Sequence, residues 1–240
     1  MIIQYDGSQY FGWQLQKDIR TVQGDIEQAL KKIYNSNDRI KLYGSGRTDT
    51  GVHALAQVAH VDLNSKKLKE KEIKHALNAN LPLDCRILEV RKVAKNFHAR
   101  FDAKRRYYRY QCYIGDSILY SNQCWILSEL NCDYLNMLAK KIKGVHNFLS
   151  FCKYREDIKS TECIIYHSKW SIEKEMIIFT ISANRFLHHM IRYLVGTMVA
   201  VSENRMSEQE FDSLLRNPMK NVKIFKAPPQ GLILENICYV

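Results

Sequence analysis

The chain has 240 residues, 46% of them hydrophobic and 25% charged, a globular composition with room for one large domain or two small ones. No apolar run approaches the roughly 18–20 residues that span a bilayer. The start, Met1 to Asp6, has neither the basic residues nor the apolar stretch of a signal peptide, so a soluble, cytoplasmic protein is expected. The seven cysteines include no C-x-x-C pair, which argues against a disulfide framework and a cysteine-type zinc site, and a net charge of +11 points to a polyanion partner.

In chain order, Ile2, Ile3 and Tyr5 read as a short strand ended by Asp6-Gly7. A helix is expected from Thr21 as N-cap, because Val22, Ile26, Leu30 and Ile33 recur at helical spacing. Ile40 to Tyr43 reads as a strand, followed by a glycine-punctuated loop from Gly44 to Gly51 and a further strand from Gln57 to Leu63. Glu70 to Asn80 is helical, stopped by Leu81-Pro82, and Arg86 to Val93 is extended. The second half repeats the mixture. Tyr107 to Ile114 is a tyrosine-rich strand, Asp133 to Lys143 a helix closed by Gly144, and Ile164 to Glu173 with Met176 to Ala183 a hairpin around Lys174. Phe186 to Val201 reads as a long apolar helix, Ser207-x-x-Glu210 as the capping box of a helix through Leu215, and Leu232 to Tyr239 as a final strand.

This succession predicts an α+β fold of two similarly built α/β lobes, divided as residues 1–102 and 103–240. The first carries the loop of chemical interest and the second the tyrosine strand and the basic helix.

That loop is Gly44-Ser45-Gly46-Arg47-Thr48-Asp49-Thr50-Gly51-Val52-His53-Ala54. Its glycines permit unusual backbone angles and close ligand approach, and it presents Arg, Thr, Asp and His within seven residues. It is not a phosphate-binding P-loop, because G-x-x-x-x-G-K-[ST] is absent. Asp49 could serve merely as a local backbone acceptor in a turn. Glycoside hydrolysis asks for two carboxylates, and none neighbours Asp49 in the sequence. A lone carboxylate suits covalent nucleophilic catalysis without a metal. His188-His189 invites a metal reading, but adjacent residues of a helix point about 100° apart and would not share one ion.

Gly46-Arg47-Thr48-Asp49-x-Gly51-Val52-His53-Ala54 resembles the signature loop of the tRNA pseudouridine synthase A family. Tyr5-Asp6-Gly7, Phe11-Gly12-Trp13-Gln14, Thr21-Val22-Gln23-Gly24, Leu77-Asn78-x-x-Leu81-Pro82 and Phe97-His98-Ala99-Arg100-Phe101 follow the family's order. So do Arg106-x-Tyr108-Arg109-Tyr110, Gly144-x-His146-x-Phe148, Phe186-x-His188-His189-Met190-x-Arg192 and Gly231-Leu232. Thr50 departs from the pattern, where the family usually has Ala.

The resemblance implies isomerisation of uridine to pseudouridine in the tRNA anticodon stem-loop, at positions 38, 39 and 40. It implies no metal and no organic cofactor, and a homodimer in which each tRNA touches both subunits. By the same resemblance Asp49 is the catalytic nucleophile, Arg47 the base-flipping residue, Tyr108 the ring against the uracil and Arg192 the cation beside Asp49. Lys67 and Arg100 are expected to contact RNA, as are Lys104, Arg105 and Arg106 around the tyrosine strand; Lys66, Lys69, Lys71 and Lys74 belong to a further basic run. The implied fold is a pair of ferredoxin-like or RNA-recognition-like lobes with antiparallel sheets and a basic active-site cleft between them. Two rival readings share most of these features. One is a non-catalytic tRNA-binding or folding protein, which would not need Asp49; the other is a synthase of the same family acting on other RNA positions.

Overall fold

The computed structural model describes residues 1–63 and 67–240; Lys66 of the basic run lies outside them. The first half contains β1 (Ile2–Tyr5), α1 (Val22–Tyr34), β2 (Tyr43–Gly44), β3 (His53–His60), α2 (Glu70–Asn80) and β4 (Cys85–Glu89). The second contains β5 (Arg105–Ile114), β6 (Trp125–Leu127), α3 (Cys132–Lys141), β7 (Gly144–Asn147), β8 (Glu162–Glu173), β9 (Met176–Ala183), α4 (Met190–Ser202), α5 (Glu208–Arg216) and β10 (Leu232–Cys238). Two compact units result: residues 1–104 with 233–240, and residues 105–232. Among the described residues no helix is long and apolar enough to cross a membrane.

In the first unit β1 pairs antiparallel with β4 on one side and with β3 on the other, and β2 pairs antiparallel with the end of β3. The order β4-β1-β3-β2, with helices after the first and third strands, is the ferredoxin-like βαββαβ arrangement. The edge of β3 that β2 leaves uncovered is taken by the C-terminal strand, which runs parallel to it, Ile233 beside His53 and Leu234 beside Ala54. That pairing draws residues 233–240 into the N-terminal unit, whereas a division at 102/103 assigns them to the other lobe.

The second unit repeats the plan through five elements. β9 lies between β5 and β8, antiparallel to both, so that β5 and β8 are parallel strands joined through α3. β7 extends β8 at one edge, and β6 pairs parallel with the end of β5. The fold is therefore mixed α/β, with mostly antiparallel pairing and five α-helices among the described residues.

Local chemistry explains most boundaries. Thr21 accepts from Gly24 N–H (3.2 Å) and starts α1, and Ser207 and Glu210 form the reciprocal capping box of α5. Ile26 and Leu30 of α1, with Leu77 of α2, are buried with Ile3 and Ile87; Leu135, Leu138, Phe179, Leu194 and Met198 form the corresponding core of the second unit. All seven cysteines are free, and four are buried.

Three expectations fail for identifiable reasons. Residues 40–42 are not a strand: Leu42 N–H donates to the Glu27 carboxylate (2.9 Å) and Leu42 O accepts from Gln23 (2.9 Å), so α1 side chains satisfy the backbone that a strand partner would. Gly144, with φ +97°, does not simply close α3 but opens β7. The helix expected from Phe186 starts at Met190, because His189 takes a left-handed φ of +63° that a right-handed helix cannot include.

Candidate active site

Asp49 stands half-buried on the stretch between β2 and β3, with Arg47 exposed two residues before it. The loop is pinned residue by residue. Ser45 N–H donates to Val58 O (2.8 Å), the Ser45 hydroxyl donates to Gln57 (2.7 Å), and Gln57 donates to Gly46 O (3.1 Å). The buried Thr48 hydroxyl shares a hydrogen bond with the Tyr5 hydroxyl at 2.8 Å. Val52 N–H closes a turn onto Asp49 O (3.1 Å), helped by Gly51 at φ +77°.

The segment after β1 supports the loop from below. Trp13 N–H donates to Thr48 O (3.1 Å), and Gly51 N–H donates to Tyr10 O (3.3 Å). Gly12 adopts φ +86°, and a Cβ there would lie 2.6 Å from Thr48 O and 3.2 Å from the Asp49 carbonyl carbon. Only glycine permits this approach. Gly7 likewise leaves no room for a Cβ, which would meet Val52 O. His53, the last polar residue of the signature, is buried; its Nδ1 accepts from Gly7 N–H (3.0 Å) and lies 3.2 Å from the Asp6 carboxylate. Partial burial opposes the charge on Asp6, but hydrogen bonds from the Ser8 side chain and backbone, with His53 beside it, hold its carboxyl below the ordinary value.

In the second unit Tyr108 pairs with Ile181 and Tyr110 with Phe179 across the β5–β9 ladder. Alternation sends both tyrosines to one face, yet their environments differ. Tyr110 is fully buried and donates to Pro228 O (2.8 Å), whereas Tyr108 is half-buried, its ring edge-on to Phe186 at 5.2 Å.

Arg192 does not snorkel to solvent. It is only 8% exposed, and its Nε donates to Ala227 O (2.9 Å) while Ala227 N–H donates to Arg192 O (2.9 Å). A buried guanidinium has to be paired to be tolerated. Gly196, one turn on, lets the 225–227 segment lie against α4, since a Cβ there would stand 2.6 Å from Ala227 N and Phe225 O.

His188 and His189 occupy the turn before α4, with ring centroids 4.0 Å apart and tilted by 45°. The helical 100° argument against a shared ligand therefore does not apply to them.

The remaining basic residues have distinct surroundings. Lys67 is exposed, and its ammonium donates to Tyr34 O (3.2 Å), the last carbonyl of α1, where the helix dipole favours a cation. Arg100 is exposed, 5.7 Å from the Phe101 ring centre, and Lys104 is exposed. Arg105 lies over the Tyr166 ring at 4.1 Å, and Arg106 donates to Asn184 O (2.6 Å).

Sequence reasoning passed over a further group, the side chains of Tyr10, Arg20, Asp25 and Asp84. Arg20 makes a bidentate contact with Asp84 (2.9 and 2.7 Å) and reaches Asp25 (3.2 Å), and the Tyr10 hydroxyl lies between the two carboxylates. Asp84 is 64 residues from Arg20, so no local pattern links them.

The chain matches the family model described as tRNA pseudouridine synthase over residues 1–102 and 138–240. It is 38% identical to tRNA pseudouridine synthase A of Dictyoglomus turgidum, covering 99% of this chain and 97% of that one. Identity is 36% to the protein of the same name from Dictyoglomus thermophilum, with 99% and 97% covered. It is 37% to that of Wigglesworthia glossinidia brevipalpis, with 99% and 90% covered. With the model spanning most of the chain and relatives above a third identical over nearly their whole length, the protein belongs to the tRNA pseudouridine synthase family.

Proposed function

We propose that this protein isomerises uridine to pseudouridine in the anticodon stem-loop of tRNA, at positions 38, 39 and 40, with Asp49 as the nucleophile. Family membership supports the reaction class, and the observation that carries the assignment of Asp49 is its loop. A carboxylate is presented between a buried Thr48–Tyr5 hydrogen bond and a turn closed on its own carbonyl. That is the pre-organisation a nucleophile needs.

Asp49 attacks the target nucleotide at the sugar C1′ or at the uracil ring. The N1–C1′ bond breaks, the released base turns, and a C5–C1′ bond forms. The hydrogen leaves C5 and N1 takes one up, so the reaction balances without an oxidant, reductant, metal or organic cofactor. The uridine must first leave its stack, at a cost of a few kcal/mol. Arg47, exposed beside Asp49, fills the space it vacates. Tyr108 offers its ring to the uracil, an interaction worth about 1–3 kcal/mol, and Arg192 is the buried cation of the site. Lys67, Arg100, Lys104, Arg105 and Arg106 hold the RNA backbone. The working form is a cytoplasmic homodimer, for which sedimentation should return about twice the 28.2 kDa of one chain.

The test is tritium release from tRNA carrying uracil labelled at C5. Release by the wild type and none by Asp49→Ala, with tRNA binding intact, is expected. Equal release by both would remove Asp49 from its role, and no release from any tRNA by the wild type would sink the reaction itself.

A further inference from the structure

Asp49 is held by its loop, the loop rests on Tyr10 to Trp13, and that segment is in turn anchored through one side chain. Tyr10 is 1% exposed although the residue after it, Phe11, is 55% exposed. The ring lies under the Arg20 guanidinium, 4.2 Å from its carbon. Its hydroxyl accepts from Arg20 Nη2 (3.1 Å) and faces Asp25 Oδ2 (2.9 Å) and Asp84 Oδ1 (3.1 Å), to either of which its single proton can be given. Burial, then Cys85 and the two carboxylates, push the Tyr10 hydroxyl far above its ordinary pKa, so it remains a donor throughout the working range. Arg20 closes the group with its bidentate bond to Asp84 and its contact to Asp25, the geometry in which arginine–carboxylate pairs are strongest. Arg20, Asp25 and Asp84 form one wall of an open cavity of about 730 Å³, also lined by Gln28, Lys32 and Leu83.

The backbone of the same tyrosine faces the other way. Tyr10 O accepts Gly51 N–H, and two residues on Gly12 abuts Thr48 O and the Asp49 carbonyl carbon while Trp13 N–H donates to Thr48 O. Phe11 N–H donates to Arg20 O, which ties the segment to the residue that grips the ring. One short stretch thus joins α1 and the start of β4, through Asp25 and Asp84, to the carbonyls on either side of Asp49.

We propose that Tyr10, clamped by Arg20, Asp25 and Asp84, is a positioning residue for Asp49, setting the height and angle at which the carboxylate is presented. The proposal rests on the reading of Asp49 as nucleophile. Tyr10 itself touches neither substrate nor reacting atoms. Loosening the clamp lets the loop shift by a fraction of an ångström to an ångström, enough to lower a rate by roughly ten- to a hundredfold without altering the RNA-binding surface.

The experiment compares wild type, Tyr10→Phe and Arg20→Gln for single-turnover pseudouridine formation and for the Kd of tRNA, well below each variant's Tm. Tyr10→Phe removes only the hydroxyl; Arg20→Gln removes the clamp from its outer side and serves should the core substitution fail to fold. The expected result is a rate lowered about tenfold or more, with Kd within about twofold of wild type in both. A purely structural role would lower Tm and leave the rate of the folded enzyme unchanged. Rates within twofold of wild type, or a fall in rate matched by an equal rise in Kd, would overturn the proposal. An Asp49→Ala control that forms pseudouridine normally would bring down the nucleophile assignment instead, whatever Tyr10 does.

Discussion

At the scale of single residues, Gly12 lies against the Asp49 backbone in space and Gly46 precedes Asp49 by three residues in sequence, and the two glycines answer to different constraints. Gly12 has a left-handed φ and no room for a Cβ, whereas a Cβ on Gly46 would meet nothing within 4 Å. Gly12→Ala should therefore destabilise the protein by roughly 1–3 kcal/mol and, because its neighbours are the Thr48 and Asp49 carbonyls, lower the rate of tritium release as well. Gly46→Ala should leave unfolding within about 0.5 kcal/mol of wild type. Denaturant titration of the two variants decides the point, and equal stability would show that the Gly12 contact is not the constraint described. The distinction between the two glycines is absent from the sequence, where both sit in motif-like surroundings. It depends on which backbone crosses behind each.

Among the elements, α4 shows how a helix comes to bury a cation. Its sequence reads as apolar with basic and histidine insertions, which locates Arg192 on a helix but not its burial. Burial follows from the close contact at Gly196, which brings the 225–227 segment against α4 and gives Arg192 a carbonyl to donate to. Gly196→Ala must push that segment away. Overpacking of this kind costs about 1–3 kcal/mol, which lowers Tm by roughly 2–10 °C in a chain of this size. A Tm within 1 °C of wild type would mean that α4 and the segment separate freely. The start of α4 was not legible either. The apolar run extends back to Phe186, but the left-handed turn at His189 interrupts it, and sequence periodicity does not register a single backbone inversion.

For the whole molecule, the charge of +11 becomes a statement about salt. If the basic residues grip RNA phosphates, the affinity for tRNA falls steeply and linearly on a log–log plot against salt, as each neutralised phosphate releases counterions. Arg100→Ala and Lys104→Ala should each reduce the magnitude of that slope by about one. A slope unchanged by a substitution removes that residue from the RNA surface. Lys67 is a separate case, because its ammonium already caps α1 at Tyr34 O, so Lys67→Ala should cost stability as well as affinity.

The sequence by itself determined what depends on neighbours a few residues apart. The capped starts of α1 and α5, the extent of α2, the β8–β9 hairpin and the loop bearing Asp49 all follow from periodicity, capping chemistry and turn residues. Family membership was legible too, because its motifs are ordered strings. Tertiary structure alone decided what depends on distant partners: that residues 233–240 complete the N-terminal unit through β3, and that Leu42 is served by α1 side chains instead of a strand. It also decided that Arg192 is buried, and that Tyr10, Arg20, Asp25 and Asp84 converge. A hydrogen bond across 64 residues leaves no period in the chain, and only folding brings its two ends within 3 Å.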